Sequence, residues 1–157
     1  MVNVAVVTDS IANLTKELAE QHRITIVPIR LMVQGKIYRD MVDMTPSQAY
    51  ELFLQDPESF KTSPSSPGHY LEAYREASQQ AKDILCVTLS SKLSTGYDMA
   101  CVAREQAKDE LPGTSIEVMD SQNVTAAEGF IALAAARAAA EGKDLAGVVK
   151  VAEEVRD

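Results

Sequence analysis

Three short apolar runs, each ending in hydroxyl or carboxylate residues, constrain the fold of this chain more than any other feature. Val2 to Val7 runs into Thr8-Asp9-Ser10, Ile84 to Leu89 into Ser90-Ser91, and Ser115 to Met119 into Asp120-Ser121. The first two have almost no polar interruption, which suits strands buried on both faces in a parallel sheet covered by helices. Helical patterns fall between the runs, so the expected class is α/β, a mostly parallel sheet flanked by helices in a Rossmann-like three-layer arrangement.

The connecting segments carry their own signals. Thr15 to Gln21 places Leu14, Leu18 and Ala19 at helical spacing. Ile24 to Val33 is rich in β-branched residues but holds Pro28, which predicts a bend or an edge position because proline cannot donate to a ladder. Gly35-Lys36 reads as a tight turn, with Ile37-Tyr38-Arg39 returning as a short strand. Thr45-Pro46 is a helix entry, cap and first helical residue, for a helix to Leu54. The polar, proline-broken stretch from Lys61 to Gly68 reads as a loop, and Ser66 caps a helix from Pro67 to about Gln80. Further helices are expected from Gly96 to Lys108, from Val124 to Ala140 with Gly142 closing it, and from Asp144 to the last residue.

Composition narrows the function classes. At 157 residues the chain has room for one domain with a full core, and its formal charge of −8 with no basic block argues against nucleic acid as a partner. Two cysteines and two histidines fall short of a disulfide framework or a closed metal site, and Asp40 with Asp43 reads as a polar turn. No window offers 18 apolar residues, so no integral membrane segment is expected and the chain reads as cytoplasmic.

Parallel sheets bind ligands beyond the carboxyl ends of their strands. Those ends carry Thr8-Asp9-Ser10, Thr88 to Ser94 and Asp120-Ser121, and the loop from Thr62 to Ser66 can join them. No Gly-x-Gly and no Gly-Lys-Ser/Thr occurs, so both common phosphate loops are missing, although helix starts at Gly68 and Gly96 offer amides to an anion. Catalysis by a serine needs a base, and only His22 and His69 are available. His22 reads as a surface residue and His69 as a capping or solvent-facing one. There is no Gly-x-Ser-x-Gly elbow. Cys86 and Cys101 read as packing residues. Ser66 and Ser94 fit helix caps, which leaves Thr62, Ser63, Ser90 and Ser91 surplus to that role.

At these loops the chain resembles the DegV family of bacterial fatty-acid-binding proteins. The resemblance rests on Val7-Thr8-Asp9-Ser10, Lys61-Thr62-Ser63 with Ser66-Pro67-Gly68, Leu89 to Ser94, and Asp120-Ser121 before an Ala-rich helix, in order and over essentially the whole chain. It implies the first domain of a two-domain protein, with the family's C-terminal domain absent from this chain. It also implies a long-chain fatty acid such as palmitate, its carboxylate held at Thr62 and Ser94, with Ser63, Ser91, Thr95 and Gly96 as further contributors. In that scheme the protein is a non-catalytic carrier with no cofactor and no metal, presenting the acid to a fatty acid kinase for phospholipid synthesis. The chain departs from the family pattern in having Pro64 directly after Ser63 and in reading Ser94-Thr95-Gly96. Two other readings stand beside it: a small α/β transferase or hydrolase acting on an anionic metabolite through Ser94 or His69, and a protein-interaction domain without a ligand.

Overall fold

A computed structural model describes residues 3–157. Val2, the start of the first expected strand, lies outside them. In chain order the elements are β1 (Val4–Asp9), a single 3-10 turn (Ser10–Ala12), α1 (Lys16–His22), β2 (Ile24–Val27), β3 (Arg30–Val33), β4 (Lys36–Arg39) and α2 (Pro46–Gln55). A second 3-10 turn (Pro57–Ser59) leads into β5 (Lys61–Ser63), α3 (Pro67–Ser78), β6 (Asp83–Thr88), α4 (Gly96–Glu110), β7 (Ser115–Asp120), α5 (Ala126–Ala140) and α6 (Leu145–Arg156).

The main sheet has four strands in the order β2-β1-β6-β7, all parallel. Successive residues of β1 serve opposite faces, as the period of a strand requires. Val4 and Val6 join Leu85 and Val87 against α5 and α6, whereas Ala5 and Val7 join Ile84 and Cys86 against α3 and α4. This is the three-layer α/β arrangement that the apolar runs predict. The alanines of α5 keep that helix thin, so Ala132, Ala135 and Ala139 are fully enclosed between the sheet and α6. Chain order reverses between β1 and β6, which lie side by side while β2 leaves on the far side of β1.

Four differences from the sequence reading have local causes. Ile24 to Val33 is two strands: Pro28 ends the pairing of β2 with β1, and β3 joins a separate antiparallel sheet of order β4-β3-β5. The hairpin between β3 and β4 turns at Gln34-Gly35, one residue earlier than expected, with φ of 49° and 76°. Two left-handed residues match the twist of a two-residue hairpin. Thr62 and Ser63 sit on β5, not in a loop, because Leu31 of β3 pairs with Thr62. The Ala-rich helix begins at Ala126, two residues later than expected, since Thr125 has φ 57° and ψ −134°. The cluster that the small sheet forms with α2 has three buried residues, Ile29, Leu31 and Met44.

Candidate functional site

The carboxyl ends of β1 and β6 meet where strand order reverses, and Asp9 ties them together. Its Oδ1 accepts from the Ile11 amide and its Oδ2 from the Leu89 amide, both at 2.9 Å. One carboxylate thereby fixes the turn after β1 and the loop after β6. Ser10 extends the same joint, its Oγ accepting from the Ile29 amide at 3.2 Å. Ser65 donates to the Pro28 carbonyl, which holds the segment after β5 against the end of β2.

The loop from Leu89 to Thr95 is then folded on itself. The amides of Leu93 and Ser94 donate to the Ser90 carbonyl at 2.9 and 3.1 Å, and Ser90 Oγ accepts from the Lys92 amide at 3.3 Å. Ser91 is pinned to the end of β7: its amide and hydroxyl donate to Asp120 at 3.1 and 2.5 Å. Burial pulls the Asp120 carboxyl upward, but the Ser91 hydroxyl and the Gln122 and Ser91 amides outweigh it, and its pKa ends below the usual value. The residue in the cap position of α4 is Thr95, not Ser94, and its side chain makes no capping bond. Ser94 Oγ instead accepts from the Gly96 amide at 3.1 Å.

Between this loop and β5 lies a cavity of about 480 Å³. Thr62, Ser63, Ser91, Ser94 and Thr95 line it, and Ile11, Ile29, Leu89 and Leu93 supply apolar wall. Five of the six residues expected from the sequence therefore share one recess. Gly96 is buried behind Ser94, and a Cβ there would stand 3.3 Å from the Tyr70 hydroxyl. Lys92 is the cation of the lining, and it is exposed. The recess is a mixed one, lined by hydroxyl side chains from both β5 and the loop and by aliphatic carbon. It can hold an anionic head with neutral donors and shelter the carbon next to it.

A larger recess, about 900 Å³, runs along the outer edge of β2 between α1 and α3, but none of the hydroxyl-loop residues opens into it. His69 lies elsewhere again, in a recess with Arg30, Arg39 and Glu72. Its Nδ1 is 2.9 Å from Ser66 Oγ, and its Nε2 faces the Arg30 guanidinium. Burial and that guanidinium lower its pKa. His69, the base that the serine-nucleophile reading offered, therefore lies in a different recess from Ser94. Cys86 is fully buried, and burial pushes its thiol pKa well up, which keeps it in the poorly nucleophilic thiol form. Among the described residues no group of three or more His, Cys, Asp or Glu side chains is placed to hold a metal, and no helix is long and apolar enough to cross a membrane.

Sequence reasoning missed one pair altogether. Glu128, in the first turn of α5, is fully buried, and its Oε1 accepts from the Thr8 hydroxyl at 3.2 Å. Its neighbour is Asp9, itself buried. Burial, then the Asp9 charge, raises the Glu128 carboxyl to about 9, and burial raises Asp9 as well. The signal was the lone carboxylate of an Ala-rich helix, within the apolar stretch Ala126-Ala127-Glu128-Gly129-Phe130.

The family model for the uncharacterised DegV proteins matches residues 3–157. The chain belongs to the DegV family. A DegV domain-containing protein of Caldanaerobacter subterraneus is 31% identical over 154 residues, 98% of this chain and 53% of that one. Among solved structures, the DegV fatty acid binding protein of Bacillus subtilis superposes with a TM-score of 0.89 at 28% identity, covering 99% of this chain and 54% of that one. A stearic acid-binding protein of Eubacterium ventriosum gives a TM-score of 0.86 at 28% identity, covering 96% and 52%. This chain thus spans about half the length of the curated DegV relatives it matches.

Proposed function

We propose that the chain binds the carboxylate end of a long-chain fatty acid such as palmitate in the recess between β5 and the loop after β6. The observation that carries this is the shared cavity: Thr62 and Ser63 of β5 line it together with Ser94 and Thr95 of the loop after β6, and Ile11, Ile29, Leu89 and Leu93 add apolar wall. The hydroxyls differ in what they have left to give. Ser94 Oγ accepts from the Gly96 amide, so its proton is free to donate into the cavity. Thr62 is exposed on β5, and the fold ties its hydroxyl to no partner among the described residues. Ser91 has spent its proton on Asp120 and offers only lone pairs, which makes it a poor donor to a carboxylate.

A fatty acid suits such a recess physically. Burying each methylene is worth about 0.8 kcal/mol, so fourteen contribute roughly 11 kcal/mol before ordering costs. The head needs only satisfied hydrogen bonds, since leaving it bare in a dry site costs several kcal/mol. The tail exceeds what the open recess on this half can cover, and a second domain like that of the longer relatives would shelter the remainder. The relatives described as fatty-acid binders support the ligand class.

The reading extends to a carrier role in the cytoplasm. The sequence contains neither common phosphate loop, and among the described residues His69 lies apart from Ser94, so in this reading activation of the held carboxylate falls to a partner, a fatty acid kinase that forms an acyl phosphate for phospholipid synthesis. Organic extraction of the purified protein followed by lipid analysis tests the ligand. A co-purifying C14–C18 acid is expected, and a tightly held polar metabolite in its place would overturn the proposal. Thr62→Val and Ser94→Ala should each weaken palmitate binding by about tenfold, the worth of one charge-assisted hydrogen bond, with the thermal transition nearly unchanged. Parent-like binding by both variants would remove the head-group assignment.

A further inference from the structure

Asp9 ties together the loops after β1 and β6, yet it shares its buried surroundings with a second carboxyl, that of Glu128. The two oxygens of Asp9 accept from the Ile11 and Leu89 amides, so its ionised form is the one the backbone solvates. Glu128 is offered much less: Oε1 has the Thr8 hydroxyl, and Oε2 is buried with no donor at all. An unpartnered buried oxygen beside a carboxylate is satisfied if it bears a proton itself.

We infer that Glu128 is a positioning residue for the proposed fatty-acid site, which holds a proton on Oε2 and donates it to Asp9, so that Asp9 can clamp the loops after β1 and β6. The inference rests on the fatty-acid reading for its consequence, though not for the clamp itself. The surroundings leave the proton nowhere else to go. Asp9 of β1 is the titratable neighbour of Glu128, Cys86 of β6 and Tyr70 of α3 feel the charge of both carboxyls from the α3 side of the sheet, and the turn 10–12 contributes no titratable group. Burial keeps both Cys86 and Tyr70 in their neutral forms, and no cation contributes to the environment of either carboxyl. Close approach of α5 makes the pair possible. Gly129 brings the helix so near the turn that a Cβ would stand 2.4 Å from the Ala12 carbonyl oxygen.

Loss of the proton places two negative charges together in a dry site. The pair relieves this by parting, and Asp9 then releases its hold on Leu89. The loop that carries Ser94 loses its anchor, and palmitate binding weakens although no ligand-contacting group has titrated. Glu128→Gln removes the titration while keeping the donor, because an amide can donate to Asp9 and accept from Thr8.

The full chain, with palmitate as probe, is titrated from pH 6 to 10. The parent should lose about tenfold in affinity by pH 10 as Glu128 deprotonates near pH 9. Glu128→Gln should bind like the parent at pH 7 and stay flat to pH 10. A Glu128→Gln profile that falls as steeply as the parent's overturns the inference. In ligand-free protein, carbon-13 carboxyl shifts and the Leu89 amide shift supply the second arm. The two should move together at one alkaline midpoint, and a Glu128 carboxyl that titrates near 4.5 refutes the shared proton. If the parent binds no palmitate at any pH, the fatty-acid reading fails, and the ligand-free titration still decides the clamp.

Discussion

Ser91 and Ser94 sit in one loop with the same side chain, but the backbone around them assigns opposite hydrogen-bond roles. Ser91 spends its proton on Asp120, whereas Ser94 accepts from Gly96 and keeps its own. Ser91→Ala should therefore cost about 1.5–3 kcal/mol of stability, the range for a hydrogen bond to a charged group, with palmitate binding changed less than threefold. Ser94→Ala should do the reverse. Urea titration with parallel ligand binding checks both, and interchange of the two phenotypes would refute the assignment. Glu128 makes a different residue-scale claim, about stability against pH. Its folded pKa is raised above the unfolded value, so the native state binds more protons across the window from about 4.5 to about 9. Stability from this group falls as pH rises through that window, by up to about 1.4 kcal/mol per unit, and Asp9 adds in the same direction. Glu128→Gln should flatten the dependence, so that the difference in thermal midpoint between parent and variant widens as pH rises through that window and is greatest above about pH 9. Parallel curves would mean that the carboxyl is ionised in the native protein.

At the scale of elements, what was legible in the sequence was what local chemistry decides. The strands β1 and β6 were readable because residues buried on both faces leave no alternation, and α2 and α6 because Thr45 and Asp144 do accept from the amides of Gln48 and Gly147. What escaped depended on partners distant in the chain. Nothing in Lys61-Thr62-Ser63 encodes a strand until β3 offers its edge, and only the two sheets together explain why Pro28 divides a single β-branched stretch. Glu128 was illegible for the same reason, since its role exists only where α5 meets β1. The hydroxyl loops were visible as surplus serines and threonines, but the division between those that donate and those already engaged needed coordinates. Gly129 shows how tightly these elements meet. In an isolated helix, Gly→Ala gains about 1 kcal/mol. Here the new methyl meets the Ala12 carbonyl, a backbone atom that cannot step aside. Gly129→Ala should therefore destabilise by about 1–3 kcal/mol, the usual cost of overpacking, and shift the amide resonances of residues 10–12. A rise in denaturation midpoint would show that α5 has room to retreat.

Across the whole molecule the site joins two bodies of unequal strength. The main sheet is sealed by clusters of 17 and 15 buried apolar residues, whereas the β4-β3-β5 sheet and α2 shelter three. Tyr50, Leu54 and Ile37 stay exposed on the small side, and α2 has no fully buried residue. Local opening follows buried apolar contact, so the small sheet should open without the large one. Native-state hydrogen exchange should then show amides of β3 and β5 exchanging at least about a hundredfold faster than those of β1 and β6. Thr62 belongs to the weak body and Ser94 to the strong one, and a carboxylate that accepts from both hydroxyls bridges them. Palmitate should accordingly slow exchange most in β3 and β5, because ligand energy suppresses the opening that breaks the site and leaves openings elsewhere untouched. Protection confined to the main sheet would place the acid away from Thr62. Equal exchange in both sheets without ligand would mean that they open as one unit, and the recess between them would then be rigid before any fatty acid arrives.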